Sequence, residues 1–123
     1  MTEKRFQQIV GEVLDTLPDD FRKAMENIAV VVEDWPDENT LAQMRMDNKF
    51  DLLGLYHGTP LPEREHEDGA MILPDVITLY RRPLERACRT ESELRREIRI
   101  TLLHEIGHYF GLDEERLAEL GYD

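Results

Sequence analysis

The chain has 123 residues, a length that corresponds to one domain with a single modest core. Its 27 acidic residues outnumber 15 Lys and Arg, which gives a formal net charge of −12 at pH 7. This acidity argues against a nucleic-acid partner, because phosphate backbones require a basic surface. Cys88 is the single cysteine, so an internal disulfide is excluded and a reducing compartment is favoured. We therefore expect one domain over residues 1–123.

Neither a membrane span nor an export signal is predicted. The longest uninterrupted aliphatic run covers residues 28–32, whereas a spanning helix needs about 18 apolar residues. Lys4 and Arg5 are followed by Phe6 and two glutamines, where a signal peptide would have its apolar stretch. The sequence predicts a cytoplasmic protein without a membrane partner.

Apolar residues at steps of three and four predict an amphipathic helix over residues 3–17. Pro18 suits the first turn of a second short helix. The β-branched run 28–32 predicts a strand that is buried on both faces. Residues 37–51 are polar with scattered apolar positions, and we expect a loop with one helical turn. Residues 52–57 predict a second strand.

The next part of the chain predicts a turn, a strand and a short helix. Residues 63–69 are almost wholly charged, and we expect a solvated turn. Residues 76–80 predict a third strand, which starts after a proline. Residues 83–88 can form one or two helical turns after that strand ends.

The longest predicted helix runs roughly from Glu91 to Phe110. Thr90 and Glu93 form a capping-box pattern at its start. Its predicted core face consists of apolar or small residues at helical spacing: Leu94, Ile98, Thr101, Leu102 and Ile106. Its second half is apolar nearly all round, so we expect this half in the protein interior. Gly111 suits the left-handed position that ends a helix, and residues 113–120 predict a last short helix.

A potential metal site lies at the end of the long helix, where the sequence reads HEIGHYFGLDE from His104 to Glu114. Histidines at positions i and i+4 share one helix face, so His104 and His108 can reach one ion. Glu105 lies beside them, where it can hydrogen-bond a metal-bound water without ligating the metal. Gly111 lets the chain reverse, so Glu114 can return as a third ligand. Two imidazoles, one carboxylate and a water make an open zinc site.

Chance does not explain this pattern well. An accidental H-E-x-x-H occurs in about 2% of shuffled sequences of this composition, and the added glycine and acid lower that to roughly 0.02%. The alternative is that both histidines are satisfied by core hydrogen bonds and that Glu114 only favours a helix N-terminus. Asp113 competes with Glu114 as third ligand, although a cap of the last helix is its preferred role.

The motif resembles the extended zincin metallopeptidase signature, H-E-x-x-H-x-x-G-x-x-D/E. The wider chain resembles the bacterial minimal zincin-like metallopeptidase family in the stretches 52–58, 73–84, 101–111 and 115–122. The resemblance implies an α+β fold, a compact zincin-like single domain with a small mixed sheet packed against helices that include the long motif helix. It also implies one Zn²⁺ ion, with His104, His108 and Glu114 as metal ligands and Glu105 as general base.

The activity that this resemblance implies is hydrolysis of a peptide or protein substrate. A zinc ion would activate water and polarise the scissile carbonyl, and Glu105 would transfer the proton to the leaving amine. We expect further substrate or oxyanion contacts from polar side chains near the motif or on the predicted strands: Tyr109, His57, Tyr80 and Arg81. An extended peptide could pair with residues 52–57 or 76–80. A chain this short predicts a shallow cleft, or a protein partner that completes it.

Two features leave alternatives open. Residues 81–99 hold seven arginines against four acids, and this strip could attract an acidic substrate, although salt bridges with neighbouring acids are the favoured interpretation.

The motif could also belong to a non-catalytic metal-binding or protein-interaction domain. A bacterial endoribonuclease family has a similarly spaced motif, with glycine at the position of Glu105 and histidine at the position of Glu114. These two differences and the net charge of −12 disfavour an RNA-processing metalloenzyme. Peptide deformylase also carries H-E-x-x-H, but it supplies a cysteine ligand from an E-G-C-L-S context. The residues around Cys88 read RACR and do not match that context.

Overall fold

A computed structural model describes residues 1–63 and 75–123 of the chain. Besides three short 3₁₀ turns, six α-helices and three strands follow one another in these ranges: α1 (Glu3–Leu14), α2 (Asp19–Ala24), β1 (Ile28–Glu33), α3 (Glu38–Gln43), β2 (Gly54–His57), β3 (Asp75–Tyr80), α4 (Arg81–Ala87), α5 (Glu91–Tyr109) and α6 (Glu114–Glu119). The predicted turn at 63–69 lies outside the described residues from position 64 onward.

The three strands form one mixed sheet with β3 at its centre. β3 runs parallel to β1, with Val30 beside Ile77, and antiparallel to β2, with Tyr56 beside Ile77. A sheet with both kinds of pairing, packed against helices, confirms the predicted α+β class.

The main core lies between one face of the sheet and helices α1 and α5. Its fully buried side chains come from α1, from the central strand β3 and from α5: Phe6, Ile9, Ile77, Leu79, Ile98, Leu102 and Ile106. The five residues predicted as the core face of α5 are all buried, which confirms the helical spacing. Gly54 of β2 permits the close approach of α5, since a Cβ there would lie 2.6 Å from the Thr101 methyl group.

The prediction that residues 28–32 are buried on both faces was wrong. Ala29 is exposed, and Val31 is 40% exposed. β1 has one neighbouring strand in the part of the chain that the structure describes, and the helices cover the face that carries Ile28 and Val30. A β-branched run identifies a strand but does not tell an edge from a centre.

The second face of the sheet carries a smaller apolar cluster. Leu52, Leu55 and Tyr80 are buried there, with Leu41 and Met46 packed against them. Leu41 belongs to α3, which Asp37 caps by accepting a hydrogen bond from the Thr40 amide at 2.7 Å. Residues 37–51 thus contain a six-residue helix rather than a loop with one turn.

Other boundaries shift by a few residues. α1 ends at Leu14, although the predicted position Leu17 is still buried. α4 begins at Arg81, which places Pro83 in its first turn, where a proline is tolerated. Among the helices of the described ranges, none is long and apolar enough to cross a membrane.

Candidate metal centre

The second half of α5 is buried on nearly every side. In residues 101–109 the two histidines are the half-buried positions, and the other seven are buried. This half packs against β2, β3 and α6 through Leu102, Ile106 and Gly107. The histidines therefore form the one open stripe of an otherwise enclosed helix segment.

Three side chains place their ligating atoms around one point. His104 Nε2 and His108 Nε2 are 3.2 Å apart. Glu114 Oε1 lies 3.0 Å from His108 Nε2 and 3.4 Å from His104 Nε2. Glu105 is close as well, but its Oε2 is 3.9 Å from His104 Nε2. The ligating atoms of His104, Glu105 and His108 all fall within 4.8 Å of one another, so this group could hold a metal ion.

Backbone carbonyls orient the imidazole rings. His104 Nδ1 lies 2.7 Å from the Tyr122 carbonyl oxygen. Donation from Nδ1–H to that oxygen fixes the tautomer in which Nε2 carries the lone pair that faces the site. The ring of His108 makes a hydrogen bond with the backbone of Leu112. Burial, followed by the neighbouring His104, lowers the pKa of His108. The neutral imidazole that a metal requires is therefore favoured.

Glu105 is held differently from the other acids. It is 8% exposed, and its Oε1 accepts a hydrogen bond from the Tyr56 backbone N–H at 3.0 Å. Burial raises the pKa of Glu105 to about 7, against the opposing effects of the His104 charge and the Tyr56 hydrogen bond. A carboxylate with a pKa near neutrality is suited to accept and return a proton.

Tyr56 is itself fixed at three points. Its backbone N–H contacts Glu105, and its hydroxyl donates to Asp75 Oδ2 at 2.8 Å. Its ring packs edge-on against Tyr109, with centroids 6.3 Å apart. β2 and α5 are thereby held in one register beside the Glu105 carboxylate.

The chain reversal after α5 brings Glu114 to the histidines. Gly111 has a φ of +86°, the left-handed conformation that favours glycine. The Leu112 N–H donates to the Gly107 carbonyl at 2.9 Å, which closes the helix end. Gly107 also leaves room for Leu117 of α6, because a Cβ at position 107 would overlap that side chain. Two glycines of the motif thus determine where α6 and Glu114 lie.

Asp113 serves as the N-cap of α6. Its side chain accepts a hydrogen bond from the Arg116 amide at 2.8 Å. This confirms the capping role predicted for it. Among these two acids, Glu114 has the carboxylate that lies against the histidines.

A cleft of about 370 Å³ opens over these residues. One wall is the open stripe of α5, with Glu97, Ile100 and Thr101 continuing beyond the histidines. The other wall consists of residues 51–56, together with Met44 and Met46. The candidate metal-binding group, which consists of His104, His108, Glu105 and Glu114, therefore lies in a cavity that a ligand can enter.

The structure does not bring the four predicted substrate or oxyanion contacts to this cleft. Tyr109 is buried in the main core. His57 is exposed at the end of β2, outside the cleft lining. Tyr80 is buried in the second cluster, where burial and then the Glu33 charge raise its pKa. Alternation along a strand directs such side chains to one of two faces, and the strand pattern could not show which face the cleft adjoins.

Arg81 is the fourth, and it is held by ion pairs. Its guanidinium lies 2.9 Å from Asp34 and 3.4 Å from Glu85. Arg95 of the same arginine-rich strip is paired with Glu12 at 2.6 Å and with Glu91 at 3.2 Å. These pairs agree with the favoured interpretation of residues 81–99 as a salt-bridged strip.

Sequence reasoning missed two contacts that shape the site. The Tyr56 N–H and the Tyr122 carbonyl are main-chain groups, which all residue types except proline possess in full. No residue pattern could therefore have indicated them. Met44, Met46 and Glu97 in the cleft lining were also not foreseen, because their positions depend on how distant elements pack.

A His–Glu–His helix packed on a small mixed sheet is the arrangement expected of a zincin-like protein. The family model described as zincin-like metallopeptidase matches residues 25–122, so the chain belongs to that family. Among solved structures, a conserved hypothetical protein from T. thermophilus is similar, with a TM-score of 0.56 at 21% identity over 99% of this chain and 100% of that one. This likeness shows the fold alone. A search of curated proteins found no match.

Proposed function

We propose that this chain is a zinc-dependent metallopeptidase that hydrolyses peptide bonds, with one ion held by His104, His108 and Glu114. The observation that carries this proposal is the spacing of the three donor atoms, 3.0, 3.2 and 3.4 Å. Tetrahedral zinc with bonds of about 2.0–2.1 Å requires ligand atoms about 3.3 Å apart. The three side chains match that spacing, and their types are the nitrogen and oxygen ligands that zinc accepts.

The fourth coordination position would face the cleft. Three protein ligands and one open position are typical of catalytic rather than structural zinc sites. When bound there, the ion would supply Lewis-acid chemistry, lowering the pKa of a water and polarising a carbonyl.

Glu105 is the residue we assign to proton transfer. Its Oε1 is engaged by the Tyr56 N–H, which leaves Oε2 directed towards the metal-binding group. In this orientation the carboxylate can take a proton from the attacking water and pass it to the leaving amine. Its greater distance from the histidines supports Glu114 rather than Glu105 as the third ligand.

β2 is the strand along which we place the substrate. Within residues 1–63 and 75–123 it has a neighbouring strand on one side only, and residues 53–56 line the cleft. β3, the other strand considered, is paired on both sides and cannot accept another strand. An extended peptide beside β2 would therefore pass the metal-binding group.

The experiment combines metal content with hydrolysis. Protein purified without chelator should contain one zinc per chain, and His104→Ala should lose it. Zinc-loaded wild type should cleave members of a random peptide library, whereas Glu105→Gln should retain zinc and lose cleavage by at least a hundredfold, as expected for loss of a general base. Stoichiometric zinc with no cleavage of any peptide would contradict the peptidase and favour a non-catalytic metal-binding domain.

A further inference from the structure

The charge of the cleft has one sign. Apart from the histidines and Tyr56, its lining residues with ionisable side chains are all carboxylic acids: Asp51, Glu97, Glu105, Glu114 and Asp123. Neither lysine nor arginine is found among the described lining residues. A divalent ion would offset the charges of Glu105 and Glu114. The other three carboxylates would still give the cleft a negative potential.

Glu97 lies on the same stripe of α5 as the metal-binding histidines. Seven residues separate it from His104, which is two helical turns or about 10 Å along the axis. Glu97 is half-buried, and in residues 1–63 and 75–123 it takes part in no ion pair or side-chain hydrogen bond. By contrast, Glu91 is paired with Arg5 at 2.6 Å.

Two neighbouring arginines, Arg95 and Arg99, turn towards α1 and not towards Glu97. Arg95 binds Glu12 of α1 at 2.6 Å, and Arg99 donates to the Thr16 carbonyl at 2.8 Å. Arg95 and Arg99 therefore do not face the cleft, and neither belongs to its lining.

The cleft also has an apolar lining. It includes Met44, Met46, Leu52 and Ile100, and Ile100 lies between Glu97 and His104 on α5. Long basic side chains combine an apolar stem with a charged head, and they bury the stem against apolar surface. An apolar lining next to a half-buried carboxylate matches both parts of an arginine or lysine side chain.

We propose that the cleft selects peptides that carry a long basic side chain about three residues from the scissile bond, and that Glu97 binds its charged head. An extended peptide advances about 3.3 Å per residue, so the 10 Å between Glu97 and the metal-binding group corresponds to about three residues. This inference rests on the proposed peptidase function, since it assigns the scissile bond to the same cleft. Glu97 is accordingly a specificity-determining residue.

Binding to the hydrolysis-deficient variant Glu105→Gln tests the inference without requiring turnover. The probes are N-acetylated, C-amidated alanine-based octapeptides with one arginine at each position in turn. Each has a matched peptide with citrulline, which keeps the shape without the charge, and one with norleucine, which keeps the stem. At one or two adjacent positions arginine should bind about tenfold more tightly than citrulline, as expected for a charge-assisted hydrogen bond.

A second substitution identifies the residue responsible. Adding Glu97→Gln should abolish the preference for arginine over citrulline. Adding Glu115→Gln, which removes an exposed acid outside the cleft, should leave it unchanged. All comparisons are made with and without zinc. The preference should be the same in both conditions, because Glu97 lies two helical turns from the metal-binding group.

The two proposals fail in different ways. Equal binding of arginine and citrulline peptides, or a preference that survives Glu97→Gln, would overturn the assignment of Glu97 alone. A wild type that binds no zinc or hydrolyses no peptide, but still prefers arginine through Glu97, would overturn the peptidase alone. No binding of any peptide would overturn both.

Discussion

The two halves of α5 have the same backbone conformation but very different surroundings. Residues 91–100 bury mainly Leu94 and Ile98 and carry a surface of arginines and glutamates. Residues 101–109 are buried except for two half-buried histidines. The first half anchors the helix to α1 through ion pairs at the surface, where each pair contributes little. The second half is enclosed by packing, so small changes there should have large consequences.

The largest effect is expected from Gly107→Ala in the enclosed half. The added methyl group would overlap Leu117, which is fully buried. Because Leu117 is fully buried, its side chain has little room to turn away, and we expect α6 to shift and to carry Glu114 away from the histidines. We expect a loss of about 2–3 kcal/mol in the free energy of unfolding, together with at least a tenfold loss in zinc affinity. Thermal unfolding and competition with a zinc-binding dye measure both.

Gly11→Ala is the matched control for this substitution. Gly11 lies in α1, and a Cβ there would meet no atom within 4 Å. Alanine should stabilise that helix by up to about 1 kcal/mol without changing zinc affinity. Equal zinc affinity in Gly107→Ala and Gly11→Ala would show that the packing of α6 does not position the site.

An effect of opposite sign is expected from Glu105→Gln. The pKa of Glu105 is raised from 4.5 to about 7, chiefly by burial, so the folded state disfavours the carboxylate. Zinc-free wild type should therefore lose stability as the pH rises from 4.5 to 7, because the unfolded chain releases this proton first. The glutamine variant avoids this loss and should be more stable at pH 8 by up to about 3 kcal/mol, the free-energy equivalent of a pKa raised from 4.5 to about 7.

Denaturant unfolding at several pH values in the presence of chelator measures this difference. The stability gap between variant and wild type should shrink towards pH 4.5 and stay constant above about pH 7.5. A gap that does not change with pH would show that burial of the Glu105 charge is not its cause.

The smallest effect is expected from Arg95→Ala in the exposed half. Its ion pairs with Glu12 and Glu91 are about one-third to one-half exposed. Exposed pairs are worth at most about 1 kcal/mol, and salt screens them. We expect a loss of less than about 1 kcal/mol that fades in 1 M NaCl, as measured by denaturant unfolding. A larger or salt-independent loss would remove the contrast between the two halves.

The sequence predicted well what local patterns determine. The start of α5 at Glu91, its core face, the reversal at Gly111 and the cap at Asp113 depend on neighbours in the chain. It failed where distant elements decide the outcome. β1 is half exposed because the helices cover only one of its faces, and Tyr80 is buried in the second cluster without lining the cleft. Strand alternation gives two faces but does not say what covers each.

The candidate site divides in the same way. His104, His108, Glu105 and Glu114 were predicted because helical spacing and a glycine turn are written in consecutive residues. The partners that orient them, the Tyr56 N–H and the Tyr122 carbonyl, come from 49 and 18 residues away. Main-chain partners at such separations follow only from the packed structure.

Anomalous diffraction from zinc-soaked crystals of the wild-type protein tests the metal centre most directly. A single peak is predicted, about 2.0–2.1 Å from Nε2 of both histidines and from a carboxylate oxygen of Glu114, with the Glu105 carboxylate outside that distance. The absence of a peak between these side chains, or a peak ligated by Glu105 in place of Glu114, would contradict the arrangement from which the activity is inferred.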